Sequence, residues 1–291
     1  MKRKPDFLCV GAAKAGTTTL HDILIQHSDI YLPKFKEAHF FDQDENFSKG
    51  VDWYDKNVFG GVKKEKIIGE ITPSYLYFNS VPQRIADSVG TDIKLIIMLR
   101  HPVDRAWSHY QMHHLRGNEK LTFEDSIKAE SQRLTKDPLT VSRFSYMDRG
   151  RYTDQIARYL EIFPRENLHF ILFENFVKDI PSHIDQVLNF LGVEQEELND
   201  QVKSNPPSAQ KSRRLASILY QPSLIKSLVK PLVPSKLIKR TRKKLKVMNE
   251  GKEVRNKIDP DLRKELFDQY YKSELADLEL KTGLDLSAWN S

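Results

Sequence analysis

Apolar residues in this chain collect into short runs at 7–10, 66–69, 93–99 and 168–174. Each has the length of a strand and lacks strict apolar/polar alternation, as expected of parallel strands covered on both faces. The clearest is 93–99, IKLIIML. Between the runs the spacing turns helical. Leu20, Ile23 and Leu24 share a face over 19–26, and similar patterns predict helices over 82–89, 102–115, 122–133, 152–163, 180–192 and 259–276. Pro102 suits a helix start, and Gly192 a helix end. Residues 30–42 read as an extended segment containing Pro33. Strands alternating with helices predict an α/β protein with a mainly parallel central sheet and helices on both faces.

The first strand runs into Gly11-Ala12-Ala13-Lys14-Ala15-Gly16-Thr17-Thr18-Thr19. Small residues let the backbone curl around an anion, and the unpaired N–H groups of the next helix then point at it. The order is close to a P-loop, so the expected fold is P-loop-like, in three α/β/α layers. The lysine, however, precedes the second glycine instead of following it. Lys14 is thereby placed beside a short 5′-substituent instead of a triphosphate tail. Arg100 follows the 93–99 strand at its carboxyl end, where open α/β sheets bind ligands, and Ser108 lies two helical turns further on.

Charge is unevenly spread. The chain has 46 Lys/Arg against 40 Asp/Glu over 291 residues, but 211–249 contains twelve basic residues and no acidic one. Three prolines (Pro222, Pro231, Pro234) interrupt its apolar positions, which predicts short amphipathic segments presenting lysines to an acidic glycan or an anionic membrane. A solvated cover is the plainer alternative. Overall, the expectation is a single domain, 1–291, with a core over about 5–192, a basic helical cover over 205–250 and a cap over 251–291. The single cysteine, Cys9, reads as a core residue. No run reaches a membrane span, and the N-terminal run is shorter than a signal peptide, so the expected location is cytoplasmic, with peripheral membrane contact possible through 211–249. His109 and His113 are four apart, but with no third ligand nearby they read as packed histidines, and no metal is expected.

Three segments taken together, KAGTTTL (14–20), KEAHFFD (36–42) and LRHPVDRAWSHYQ (99–111), resemble the sulfotransferases that use 3′-phosphoadenosine 5′-phosphosulfate (PAPS). The likeness is closest to the carbohydrate branch acting on heparan-type glycans. It covers about 5–192, with a weaker echo over 251–289. The resemblance implies that Lys14, Ala15, Gly16, Thr17, Thr18 and Thr19 hold the 5′-phosphosulfate. Arg100 and Ser108 would hold the 3′-phosphate, and Tyr152, Lys252 and Arg255 would complete the PAPS site. It implies Glu37 as catalytic base, Lys14 as a catalytic cation, and Lys36, His39, Glu70 and Tyr75 on the acceptor side. Two departures stand out. Ile71 occupies a position where the heparan branch carries lysine, and Gly251 to Arg255 only loosely matches its C-terminal loop. The implied partner is a glycan or small-molecule acceptor, not a nucleic acid. A P-loop kinase would need a lysine after Gly16 and a strand-end aspartate for magnesium, and a basic binding module would rest on 211–249 alone. A lipid or small natural product is the other acceptor class.

Overall fold

The computed structural model describes residues 3–201, 208–210, 250–253 and 257–290. The sequence suggests one domain; the contacts sort the chain into two compact units, Met1–Arg105 with Asp148–Ser204 and Pro260–Ser291, and Ala106–Met147 with Asn205–Asp259.

The first unit is built on a five-stranded parallel sheet of β1 (Phe7–Gly11), β2 (Ile30–Tyr31), β3 (Ile67–Ile71), β4 (Lys94–Leu99) and β5 (Leu168–Leu172), in the order β2-β3-β1-β4-β5. The central strand β1 is buried at every position, as its unbroken apolar run requires. Flanking it are α1 (Thr17–Leu24), α2 (Asp44–Phe47), α3 (Gly50–Val58) and α4 (Val81–Val89), with α5 (Pro102–Leu115) beginning here. α9 (Tyr152–Leu160), α10 (Phe173–Phe176), α11 (Ile180–Leu191), α12 (Pro260–Tyr270) and α13 (Leu275–Thr282) complete it. The parallel sheet with flanking helices is the P-loop-like α/β/α fold. Several boundaries differ from the sequence pattern: the helix expected over 259–276 ends at Tyr270 and a separate one begins at Leu275, and the helix expected over 152–163 ends at Leu160. β5 stops at Leu172 and Phe173 already starts a helical turn, while the segment 30–42 contributes a two-residue edge strand paired with Ile67 and Ile68.

The second unit holds the rest of α5 and α6 (Phe123–Lys128), α7 (Glu130–Leu134) and α8 (Pro138–Phe144). The single helix expected over 122–133 is divided at Ala129, which ends one helix and opens the next. Its aromatic cluster joins Trp107, Tyr110, Phe123 and Tyr146, and Glu119 accepts from Arg133 and from the Tyr146 hydroxyl. His109 and His113 pack into it, on Tyr146 and Phe144 respectively. Among the described residues no group of three or more His, Cys, Asp or Glu could hold a metal ion. The strands β6 (Ser208–Gln210) and β7 (Glu250–Glu253) pair antiparallel. The basic stretch 211–249 between them lies outside the described residues, and among those described no helix is long and apolar enough to cross a membrane.

Candidate active site

The loop after β1 is tied to β4, and the end of β1 to the turn that follows β3. Ala12 N–H donates to the Met98 carbonyl (2.6 Å) and Leu76 N–H to that of Val10 (2.7 Å). Lys14 sits in the left-handed region at φ 74° and Gly16 at φ 89°. A side chain on Gly16 would be strained twice over, because its Cβ would also fall 2.9 Å from the Phe173 ring. α1 begins at Thr17, two residues earlier than its apolar spacing suggests, and no side chain caps it. The first-turn N–H groups of Thr17, Thr18 and Thr19 therefore have no carbonyl one helical turn back, which is the arrangement that receives an oxyanion. Burial pushes the Cys9 thiol up to about 12, so this strand residue is an inert part of the core.

The segment 36–42 closes against this loop. Lys36 Nζ donates to Thr17 Oγ1 (3.2 Å) and Thr18 Oγ1 (3.0 Å), and lies 3.6 Å from Glu37 Oε1. Glu37 and His39 are both left-handed, at φ 69° and 51°, a conformation that costs about 1–3 kcal/mol and turns both side chains to one side. His39 Nε2 is 3.4 Å from Glu37 Oε2, and its Nδ1 donates to Asp42 Oδ2 (2.9 Å), which also accepts from Ser74 Oγ. Burial alone would lower the His39 pKa, but hydrogen bonds to Asp42 and Glu37 reverse this and hold it at about 10. His39 is consequently an imidazolium at neutral pH. Burial would raise Glu37, yet the His39 hydrogen bond and the Lys36 charge hold its carboxyl below the ordinary range.

Glu70 and Tyr75, expected on the acceptor side, are fully enclosed. Glu70 accepts from the hydroxyls of Tyr54, Thr72 and Tyr75, and burial raises its pKa. Tyr75 in turn accepts from the Phe40 N–H (2.9 Å), so this network fastens the 36–42 segment from beneath. Ile71 is buried beside them. At the other end of the loop, Arg100 donates from Nη1 to the Lys14 carbonyl (3.1 Å) and lies over the Phe173 ring. Tyr152 stands under it, donating its hydroxyl to the Arg100 carbonyl (2.9 Å). Lys14 to Thr19, Lys36, Glu37, His39, Arg100 and Tyr152 all belong to the first unit. Ser108 is half-buried on α5 in the second, where Lys252 lies in β7; Arg255 is outside the described residues. Sequence reasoning missed Asp42, Ser74 and Tyr54. Asp42 alone carried a signal, as the last residue of KEAHFFD.

A left-handed lysine loop at a strand end, an arginine at the end of the adjacent strand and a carboxylate linked to the loop through Lys36 thus lie together in an α/β unit with a parallel sheet. The family model for the sulfotransferase domain matches residues 4–279, and the chain belongs to that family. It is 31% identical over 192 residues to human heparan sulfate glucosamine 3-O-sulfotransferase 6 and 29% identical over 196 residues to mouse heparan sulfate glucosamine 3-O-sulfotransferase 5. Those matches take in 66% of this chain and 53% and 55% of the relatives, so the chain spans about half the length of the curated relatives it matches. A sulfotransferase crystal structure from Alicyclobacillus acidocaldarius superposes with a TM-score of 0.72 at 30% identity, covering 99% of this chain and 100% of that one.

Proposed function

We propose that this protein transfers a sulfuryl group from PAPS to a glycan hydroxyl, with Glu37 as base. One observation carries the reading: a single ammonium, Lys36, touches both the anion-binding threonines and Glu37, within 3.0–3.6 Å. Donor loop and base therefore face one point, where the acceptor oxygen meets the sulfur. The acceptor O–H gives its proton to Glu37 while its oxygen forms the new S–O bond. On the opposite side the bond from sulfur to the 5′-phosphate oxygen breaks, and its electron pair stays on the departing adenosine 3′,5′-bisphosphate. Charge grows on that bridging oxygen, so Lys14, Lys36 and the first-turn N–H groups of α1 stabilise the transition state more than the ground state.

The low pKa of Glu37 fits this sequence of events. Two cations keep it ionised and ready at rest, and as Lys36 turns toward the departing oxygen one of them leaves, so its basicity rises when the proton must move. Arg100 fits the 3′-phosphate, to which it offers a bidentate fork. The glycan acceptor is supported by the likeness to heparan sulfate glucosamine 3-O-sulfotransferases.

The test is transfer of ³⁵S from labelled PAPS to N-sulfated heparan fragments, with ATP and magnesium as the control donor. Glu37→Gln should lower turnover roughly 10²–10⁴-fold while leaving bisphosphate binding intact. Wild-type turnover in that variant, or label transfer only to small apolar alcohols, overturns the assignment of base or acceptor respectively.

A further inference from the structure

The peptide joining Arg100 to His101 is held at both polar ends by side chains remote in sequence. Its carbonyl accepts from the Tyr152 hydroxyl (2.9 Å), and its N–H donates to Glu174 Oε1 (2.8 Å). The second carboxylate oxygen of Glu174 lies 3.5 Å from Trp289 Nε1, which donates to it. Trp289 is 2% exposed, its indole packs on Tyr152 at 6.1 Å between ring centres, and the His101 ring sits against both Trp289 and Phe267. His101 is itself buried, and burial lowers its pKa to about 4, so it packs there as a neutral ring. The residue next to Glu174, Phe173, supports the Arg100 guanidinium at 4.7 Å. All of these belong to the first unit. Trp289 lies in the turn Ser287–Asn290, ten residues past the end of the family match at 279.

We propose that Trp289 and Glu174 are positioning residues that fix the Arg100 peptide, and with it the direction of the guanidinium that selects a 3′-phosphate. Fixing both ends of a peptide plane removes its freedom to tilt, and Arg100 leaves the chain from that plane. A guanidinium recognises phosphate through paired, directional hydrogen bonds, so a small tilt weakens it more than it would weaken a point charge. The C-terminal tail thus reaches the donor site through one carboxylate without touching the nucleotide.

This inference rests on the proposed PAPS reading, and the experiment separates the two. Calorimetry would compare adenosine 3′,5′-bisphosphate with adenosine 5′-phosphate for wild type, Trp289→Phe, Glu174→Ala and Glu174→Gln, alongside hydrogen exchange of the His101 amide. Glu174→Ala should weaken the bisphosphate about tenfold, with the monophosphate changed by less than about twofold. Glu174→Gln, whose amide oxygen still accepts, should recover most of that loss. Trp289→Phe keeps an aromatic ring against Tyr152 and His101 and removes the N–H, so it should fall between, and His101 exchange should quicken in the same order. Equal weakening of both nucleotides, or an unchanged preference with unchanged His101 exchange, overturns the inference. A wild-type protein that does not prefer the bisphosphate overturns the donor reading instead, and the inference with it.

Discussion

Replacing Asp42 by Asn tests whether the charge on His39 organises the active-site segment. Burial would lower the His39 pKa from its ordinary 6.5, but Asp42 first and then Glu37 outweigh it and hold it at about 10. At about 1.4 kcal/mol per pH unit that span sets a ceiling of ~5 kcal/mol. The His39 side chain is 30% exposed and shares its charge with Glu37, so solvent screening brings the contribution to ~1–2 kcal/mol. Because the folded-state pKa is raised, this stability is fully present below pH 6.5, declines as pH rises and is gone above about 10. Asp42→Asn should therefore melt roughly 3–6 °C below wild type near pH 6, with the gap closing by about pH 10. Ser74→Ala controls for the lost hydroxyl contact. Without the His39 charge, and with Lys36 still in place, the Glu37 carboxyl should rise part of the way toward the ordinary range, moving the acid limb of the rate profile to higher pH. The assay is a melting series over pH 5.5–10.5, paired with NMR titration of the His39 ring. A melting gap that stays constant with pH, or a wild-type His39 titrating near 6.5, refutes the reasoning.

Arg100→Ala should weaken adenosine 3′,5′-bisphosphate at least about tenfold more than adenosine 5′-phosphate by calorimetry; the monophosphate should also lose a little, because Arg100 holds the Lys14 carbonyl. Glu70→Ala should lose about 3–5 kcal/mol in urea unfolding, since three buried hydroxyls lose their acceptor, and Glu70→Gln should lose clearly less. Neutralising Lys239, Arg240, Arg242, Lys243 and Lys244 together should raise the acceptor's apparent KM or release the protein from anionic vesicles, and flatten the salt dependence, with bisphosphate affinity unchanged. Unaltered acceptor and vesicle binding at every ionic strength would reduce that stretch to a cover.

The sheet and donor loop were legible because unbroken apolar runs and a Gly-Lys-Gly-Thr turn are local signals, readable without knowing what packs on them. The geometry of the acceptor segment was not. Nothing in KEAHFFD announces that Glu37 and His39 take left-handed backbone, and only the fold brings Lys36 onto Thr17 and Thr18. The resemblance puts Glu70 on the acceptor side, but no local signal marks it as enclosed: carboxylates are seldom buried without a cation, and only the fold brings the three hydroxyls that satisfy it. The helix Gly50–Val58 went unseen because its inward face is sparse, with only Tyr54 and Val58 buried. The break at Ala129 escaped notice because the charged pattern runs on through it, and Trp289 because a lone tryptophan in a tail carries no periodicity.

The Lys14 loop and Arg100 leave β1 and β4, which are next to each other in the sheet. Neighbouring strands are about 4.8 Å apart whatever their side chains, so on the proposed reading the backbone ladder acts as a ruler for the two ends of the donor. Substitution can sharpen or blunt either grip without resetting the interval between them. The acceptor segment has no such ruler: it follows a two-residue edge strand and is held by side-chain contacts, among them Tyr75 on the Phe40 N–H, Arg84 on the Phe41 carbonyl and Lys36 on Thr17 and Thr18. A scaffold divided in this way can vary the acceptor segment around Lys36 and Glu37 and so change its acceptor while keeping its donor, provided the replacement retains those two residues and the backbone N–H groups that Tyr75 receives.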